Sequence, residues 1–213
     1  MPKSDHEEVL LEKMTGPDIV LASASATRRD LLAGAGLPFI VDPALIDETA
    51  MKAAMAAEGA SVEEAAIGLA HMKALRISRR HPAAMVIGAD QILELEGTWF
   101  DKPIDMGHAR NTLLALRGRT HGLATAACIC RGGERIWHHV ETPKLTMRDF
   151  SDGFLDDYLK DAGDGILSSV GAYRLEGAGV QLFSHIEGSY FTILGLPLLA
   201  LLDILRVNGA VTT

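Results

Sequence analysis

Apolar residues along this chain follow two rhythms, short runs that mark strands and three-to-four spacings that mark helices. Ile19-Val20-Leu21-Ala22 predicts a buried strand, followed by a small polar loop and a helix over Thr27 to Ala33 that stops at Gly34 or Gly36. Ser61 to Arg80 is the clearest helix. Ser61 and Glu64 form a capping box, Val62, Ala66, Leu69, Ala70 and Ile77 make an apolar stripe, and His81-Pro82 ends it. Met85 to Leu95 predicts a strand turning at Glu96-Gly97, and Asp105 to Leu116 a helix closed by Gly118. His121 to Cys130 and Arg135 to Met147 predict two long strands joined at Gly132-Gly133. Ser151 to Asp161 is a helix, Val180 to Ile186 a strand, and Pro197 to Arg206 a terminal helix. Alternating helices and strands with one hairpin predict an α/β fold, a mixed central sheet with helices on its faces.

The 213 residues suit one domain over 17–213, preceded by an acidic N-terminal extension over 1–16 with a marginal helix around Glu7 to Met14. The formal charge of −8 argues against nucleic-acid or membrane-surface partners. No apolar stretch approaches the roughly 18 residues of a membrane span. Two cysteines make no disulfide framework, so a reduced, cytoplasmic protein is expected.

Against that acidic background, cationic and small residues gather in places. Ser23-Ala24-Ser25-Ala26-Thr27-Arg28-Arg29 joins a strand end to a helix start. Backbone amides, two serine hydroxyls and two guanidinium groups there suit phosphate oxygens. Arginines in a first helical turn oppose the helix dipole, so helix stability does not account for them. Asp90 follows the small, apolar Val86-Ile87-Gly88-Ala89, where a carboxylate needs a partner, a metal or a cleft edge. Lys73 falls on the apolar stripe of its helix, where it either snorkels or faces an anion. Pro103 stiffens the loop that presents Lys102, and Asp47-Glu48 is an acidic pair able to hold Mg²⁺ or to sit in solvent. The eight histidines have no metal-binding spacing, and Cys128 and Cys130 share one strand face, as core thiols do.

These segments, in order, resemble the Maf family. Leu21-Ala22-Ser23-Ala24-Ser25 through Arg28-Arg29-Asp30-Leu31-Leu32 is similar to its opening motif, and Asp47-Glu48 to its acidic pair. Lys73-Ala74, Val86 to Asp90, Lys102-Pro103, Gly118-Arg119-Thr120-His121, Gly171-Ala172-Tyr173 to Gly177, and Gly195-Leu196-Pro197-Leu198 match later motifs. The resemblance runs from about residue 18 to 206. It implies a Maf/ITPase-like fold with two lobes around a deep cleft, often as a homodimer. It also implies hydrolysis of a nucleoside triphosphate between the α and β phosphates, with Mg²⁺ or Mn²⁺, and a link to septum formation. Arg28, Arg29, Lys73 and Lys102 would hold phosphates beside Ser23 and Ser25. Asp90 would be the general base or a metal ligand, and Glu48 would help hold the metal.

The chain departs from the family pattern in several places. Ala26-Thr27 replaces the usual proline before the arginines, Arg117 the usual serine, and Ser168-Ser169-Val170 the usual triplet before Gly171. Gln91 and Glu176 stand at positions tied to base selection, where other members carry Thr and Gln. The Gln/Glu pair resembles the branch that prefers 7-methyl-GTP over dTTP or UTP. A carboxylate only accepts hydrogen bonds, and a methylated guanine offers N–H donors and a positive ring. Two other readings remain open from the residues: a nucleotidyltransferase, and a non-catalytic nucleotide-binding regulator of septum formation.

Overall fold

The structure is a computed structural model that describes residues 17–212, so the N-terminal extension and its expected helix lie outside the described residues. Eight strands form one mixed sheet: β1 Ile19–Leu21, β2 Ile40–Val41, β3 Met85–Leu95, β4 Thr98–Phe100, β5 Thr120–Arg131, β6 Glu134–Glu141, β7 Lys144–Met147 and β8 Phe183–Glu187. The main path runs β2-β1-β3-β5-β7-β8, with β4 on β3 and β6 on β5. The pairs β1–β2 and β1–β3 are parallel, and the rest are antiparallel. The helices are α1 Ala26–Gly34, α2 Glu48–Ala57, α3 Val62–Ser78, α4 Met106–Leu116, α5 Asp152–Ala162, the single turn α6 Tyr190–Ile193, and α7 Leu198–Val207. None of the described helices is long and apolar enough to cross a membrane.

Most expected elements fall where the pattern places them. The Ser61 capping box is formed, and Asp105 and Ser151 cap α4 and α5. Two expectations need correction. The strand over Arg135 to Met147 is two strands, broken at Thr142-Pro143, because proline has no N–H for a ladder. The strand expected from Val180 begins only at Phe183, after a 3₁₀ turn over Ala178–Leu182.

Two packed regions share β3 and β5. In one, α3 covers Val86 and Ile92 on one face of β3, while α1 and α7 cover Met85, Ile87 and Ala89 on the other. This is the two-residue period of a strand buried on both faces. In the other, the far ends of β3 and β5 join α4, α5, β7 and β8 around Leu93, Leu113, Leu123 and Tyr173. A cleft of about 620 Å³ is lined from both regions.

In the second region His121 is 1% exposed, with Nε2 2.8 Å from the Tyr173 hydroxyl. Burial, with a smaller contribution from Lys144, pushes its imidazole down to about 4 from 6.5. Between those values the unfolded chain binds a proton that the folded chain refuses. Stability therefore falls as pH drops through that window, by roughly 3 kcal/mol. Urea denaturation from pH 6.5 to 4 should show a slope of stability against pH that is shallower by about one proton in His121→Gln. Superimposable slopes would place the acid sensitivity elsewhere.

Candidate active site

The site is assembled where β3 meets α3. Gly88 lies so close to the helix that a methyl group there would sit 2.1 Å from the Ala70 carbonyl oxygen and 2.6 Å from the Ala74 nitrogen. That contact brings Lys73 down onto the strand. Two residues after Gly88, and on the same strand face, Asp90 points at α3. Lys73 Nζ is 2.5 Å from Asp90 Oδ1 and 2.8 Å from Glu48 Oε1. Lys73 and Asp90 are 5% and 4% exposed. The stripe lysine is thus an ion-pair centre in the cleft wall, not a snorkelling side chain.

Glu48 reaches Lys73 because it opens α2, a helix the hydrophobic pattern did not predict. Asp47 caps it, accepting from the Ala50 amide, and so belongs to the helix end. Partial burial pushes the Glu48 carboxyl up, but Lys73, then Lys102 and Arg28, outweigh it and leave the pKa below the ordinary value. One turn on, the previously unnoticed Lys52 lines the same cleft, 2.6 Å from Asp101 Oδ1 and 3.1 Å from the Phe100 carbonyl. Its i+4 spacing from Glu48, on an alanine- and methionine-rich run with an Asp cap, was the available signal.

The loop before α1 is held by its own hydroxyls. Ser23 Oγ accepts from the Ser25 amide, and Ser25 caps α1 by accepting from the Arg28 amide. As first residues of a helix, Ala26 and Thr27 have amides with no intrahelical acceptor, at the cleft edge. The two arginines part company. Arg28 donates from Nη1 to the Ala89 carbonyl and Ser23 Oγ, and from Nε to the Gly195 carbonyl. It therefore ties the loop to β3 beside Asp90, and its Nη2 makes no hydrogen bond among the described residues. Burial lowers its pKa, against the raising effects of Asp90 and Glu48. Arg29 is not brought to the site: it is exposed, does not line the cleft, and pairs with Asp30 at 3.2 Å. The helical turn that points Arg28 inward points its neighbour outward.

Lys102 lines the cleft from its loop, and the exposed Glu176 and the half-buried Gln91 of β3 line it too. Gln91 follows Asp90 and faces the opposite side of β3. Its Nε2 donates to Thr125 Oγ1 at 2.8 Å and lies 3.2 and 3.1 Å from the Thr192 and Ile193 carbonyls. Thr125 already donates its own proton to the Leu123 carbonyl, which settles the orientation of the amide. The group Gln91 has left for a ligand is its acceptor oxygen.

The carboxylate pair fits a hard divalent cation. Asp90 and Glu48 each engage Lys73 through one oxygen and make no other hydrogen bond among the described residues. No described cluster of three or more His, Cys, Asp or Glu side chains could hold a metal. Two carboxylates are what Mg²⁺ commonly takes from a protein when substrate phosphates and water complete its shell.

With this geometry in view, the sequence profile described as Maf-like protein matches residues 18–208. The chain belongs to the Maf family. It is 55% identical to a protein of Granulibacter bethesdensis named nucleoside triphosphate pyrophosphatase, over 91% of this chain and 98% of that one. A Paramagnetospirillum magneticum protein of the same name is 56% identical, over 89% and 98%. A Rhizobium meliloti protein named 7-methyl-GTP pyrophosphatase is 48% identical, over 92% and 98%. Residues of the Maf motifs at Ser23, Ser25, Arg28, Glu48, Lys73, Asp90, Lys102 and Tyr173 to Glu176 line one cleft, whereas Arg29 and the Gly118–His121 motif do not.

A methyl group at Gly88 has only backbone and an alanine Cβ to displace. Gly88→Ala should therefore lose at least about 1–3 kcal/mol in chemical denaturation, as overpacked cores do. It should also weaken nucleotide binding by moving Lys73 off Asp90. Wild-type stability in this variant would show that α3 can yield at no cost.

Proposed function

We propose that this Maf-family chain is a hydrolase that splits nucleoside triphosphates between the α and β phosphates, yielding a nucleoside monophosphate and pyrophosphate. The observation that carries the reading is the Lys73 ammonium held between Asp90 and Glu48, in a cleft that also takes in a helix N-terminus. A binding module needs no buried carboxylate at its ligand, and a nucleotidyltransferase needs an acceptor substrate as well.

In this mechanism the triphosphate oxygens lie on the amides of Ala26 and Thr27 and on Ser25, Arg28, Lys73 and Lys102. The loop amides, Arg28 and Lys73 are held in place by their own contacts, so they stabilise charge without reorganising. Arg29 has no part in it. Asp90 orients the attacking water and accepts its proton on the oxygen that Lys73 leaves unengaged. The water oxygen bonds to phosphorus, the bridging P–O bond breaks, and pyrophosphate leaves. Positioning and charge stabilisation supply most of the catalysis in such a transfer. Glu48 and Asp90 would hold Mg²⁺ or Mn²⁺, which supplies further neutralisation of the phosphates when bound. The expected homodimer belongs to the same reading and is open to sedimentation analysis.

For the base, we favour 7-methyl-GTP over dTTP and UTP. Gln91, with its amide nitrogen committed inward, and Glu176 both offer acceptors. Acceptors suit the N–H edge of guanine, and the carboxylate suits a cationic ring. Of the relatives above, those near 55% identity carry the general name and the one at 48% carries the 7-methyl-GTP name.

Purified protein with Mg²⁺ and a panel of 7-methyl-GTP, GTP, UTP and dTTP should release pyrophosphate and not orthophosphate. Asp90→Asn should lower kcat by about 10²–10⁴-fold while nucleotide binding persists. A variant that keeps full turnover would remove Asp90 from the chemistry. Glu176→Gln should shift kcat/KM toward UTP and dTTP by about ten-fold, the worth of one charged hydrogen bond. An unmoved preference would show that Glu176 does not read the base.

A further inference from the structure

The cleft is chemically two-ended. Around the α1 loop it offers hydroxyls, helix amides and lysines, which suit phosphates. Along residues 168–176 it is lined by Tyr173, Leu175 and the exposed Glu176, an apolar wall ending in a carboxylate, which suits a planar base. Nothing in the proposed chemistry uses His121, which lies buried behind that second wall.

We propose that the buried His121–Tyr173 pair is a positioning device that sets the depth of the 168–176 wall, and through it the choice between purine and pyrimidine nucleotides. This rests on the nucleotide reading above. Tyr173 is the fixed point of the wall, immediately followed by Arg174, Leu175 and Glu176, all of which line the cleft. Its hydroxyl is 2.8 Å from His121 Nε2, and its ring meets the Phe183 ring edge-on at 4.9 Å. On the backbone side Gly171 lies so close that a methyl there would be 2.1 Å from a ring carbon. Gly179 presses equally closely on Arg174, where a methyl would be 2.5 Å from its carbonyl oxygen.

Two costs mark this arrangement as more than packing. Ala172, between Gly171 and Tyr173, has φ +56°, a conformation that a residue with a Cβ keeps only where its surroundings over-determine it. The Tyr158 hydroxyl helps by donating to the Ala172 carbonyl at 3.3 Å. His121 Nδ1, meanwhile, is buried with no hydrogen-bond partner among the described residues. An apolar ring of similar size would avoid that cost, so filling space does not account for a histidine here. What the imidazole adds is the bond to Tyr173.

The test reads binding, so it does not depend on turnover. Calorimetric Kd values would be taken with the α,β-methylene analogues of 7-methyl-GTP, GTP and UTP, and with inorganic tripolyphosphate, which has no base. In Tyr173→Phe, which keeps the ring and removes one hydroxyl, the purine-to-pyrimidine affinity ratio should move about five-fold toward unity, the worth of one neutral hydrogen bond. Tripolyphosphate affinity should stay within about two-fold, well inside the change expected for one lost bond. His121→Phe should reproduce the shift, and the double variant should add nothing to it. An unchanged ratio, a parallel loss for tripolyphosphate, or a wild-type protein with no base preference would overturn the proposal. A wild-type protein that binds with preference but releases no pyrophosphate from true nucleotides would overturn the hydrolase reading alone.

Discussion

A single buried ammonium organises this molecule. Lys73 sits between Asp90 and Glu48 with almost no contact with water, and each partner comes from a different part of the chain. Removing one member of such a set leaves a buried charge unbalanced. The arrangement holds only because β3 and α3 touch through Gly88, where no side chain intervenes. Lys73 lies between the two helix residues, Ala70 and Ala74, that the strand touches, so one backbone contact fixes both packing and chemistry.

The same economy runs through the rest of the cleft. Arg28 belongs to the loop by sequence, yet two of its three side-chain hydrogen bonds leave it, to the Ala89 and Gly195 carbonyls, and one returns to Ser23. It fastens the helix N-terminus beside the carboxylate that the proposed reaction uses. On the opposite face of β3, Gln91 fastens α6 in a similar way. Adjacent residues on one strand thus face the two opposite sides that the proposed reading gives to phosphate and base, because strand side chains alternate.

Much of the fold was legible. The Ser61 helix, the strand from Met85 to Leu95, and the helices capped by Asp105 and Ser151 carry period, cap and stop signals that agree. The misreadings share a cause. α2 buries no side chain fully and so has no apolar stripe to detect, although its residues favour helix. Residues 135–147 are uniformly strand-like, and only Pro143 shows where pairing passes from one stretch of β5 to another. In the site, Asp90 and Lys73 stood out because a charge among apolar neighbours needs a reason. Lys52 did not stand out, because a lysine in an unrecognised helix looks like any solvated lysine. Arg28 and Arg29 were indistinguishable until the orientation of α1 separated them.

By itself the sequence determined the alternation of elements, their caps, the acidic background and the order of the Maf motifs, all of which depend on near neighbours in the chain. Tertiary structure decided which charges meet. Lys73 could have faced solvent or an anion, and Asp47-Glu48 could have been a metal pair or a surface pair. Only the close passage of α3 over Gly88, with α2 folded back beside it, makes Lys73 a shared cation, Glu48 its partner and Asp47 a helix cap. Such outcomes depend on distances between residues far apart in the chain, and local propensity carries no information about those distances.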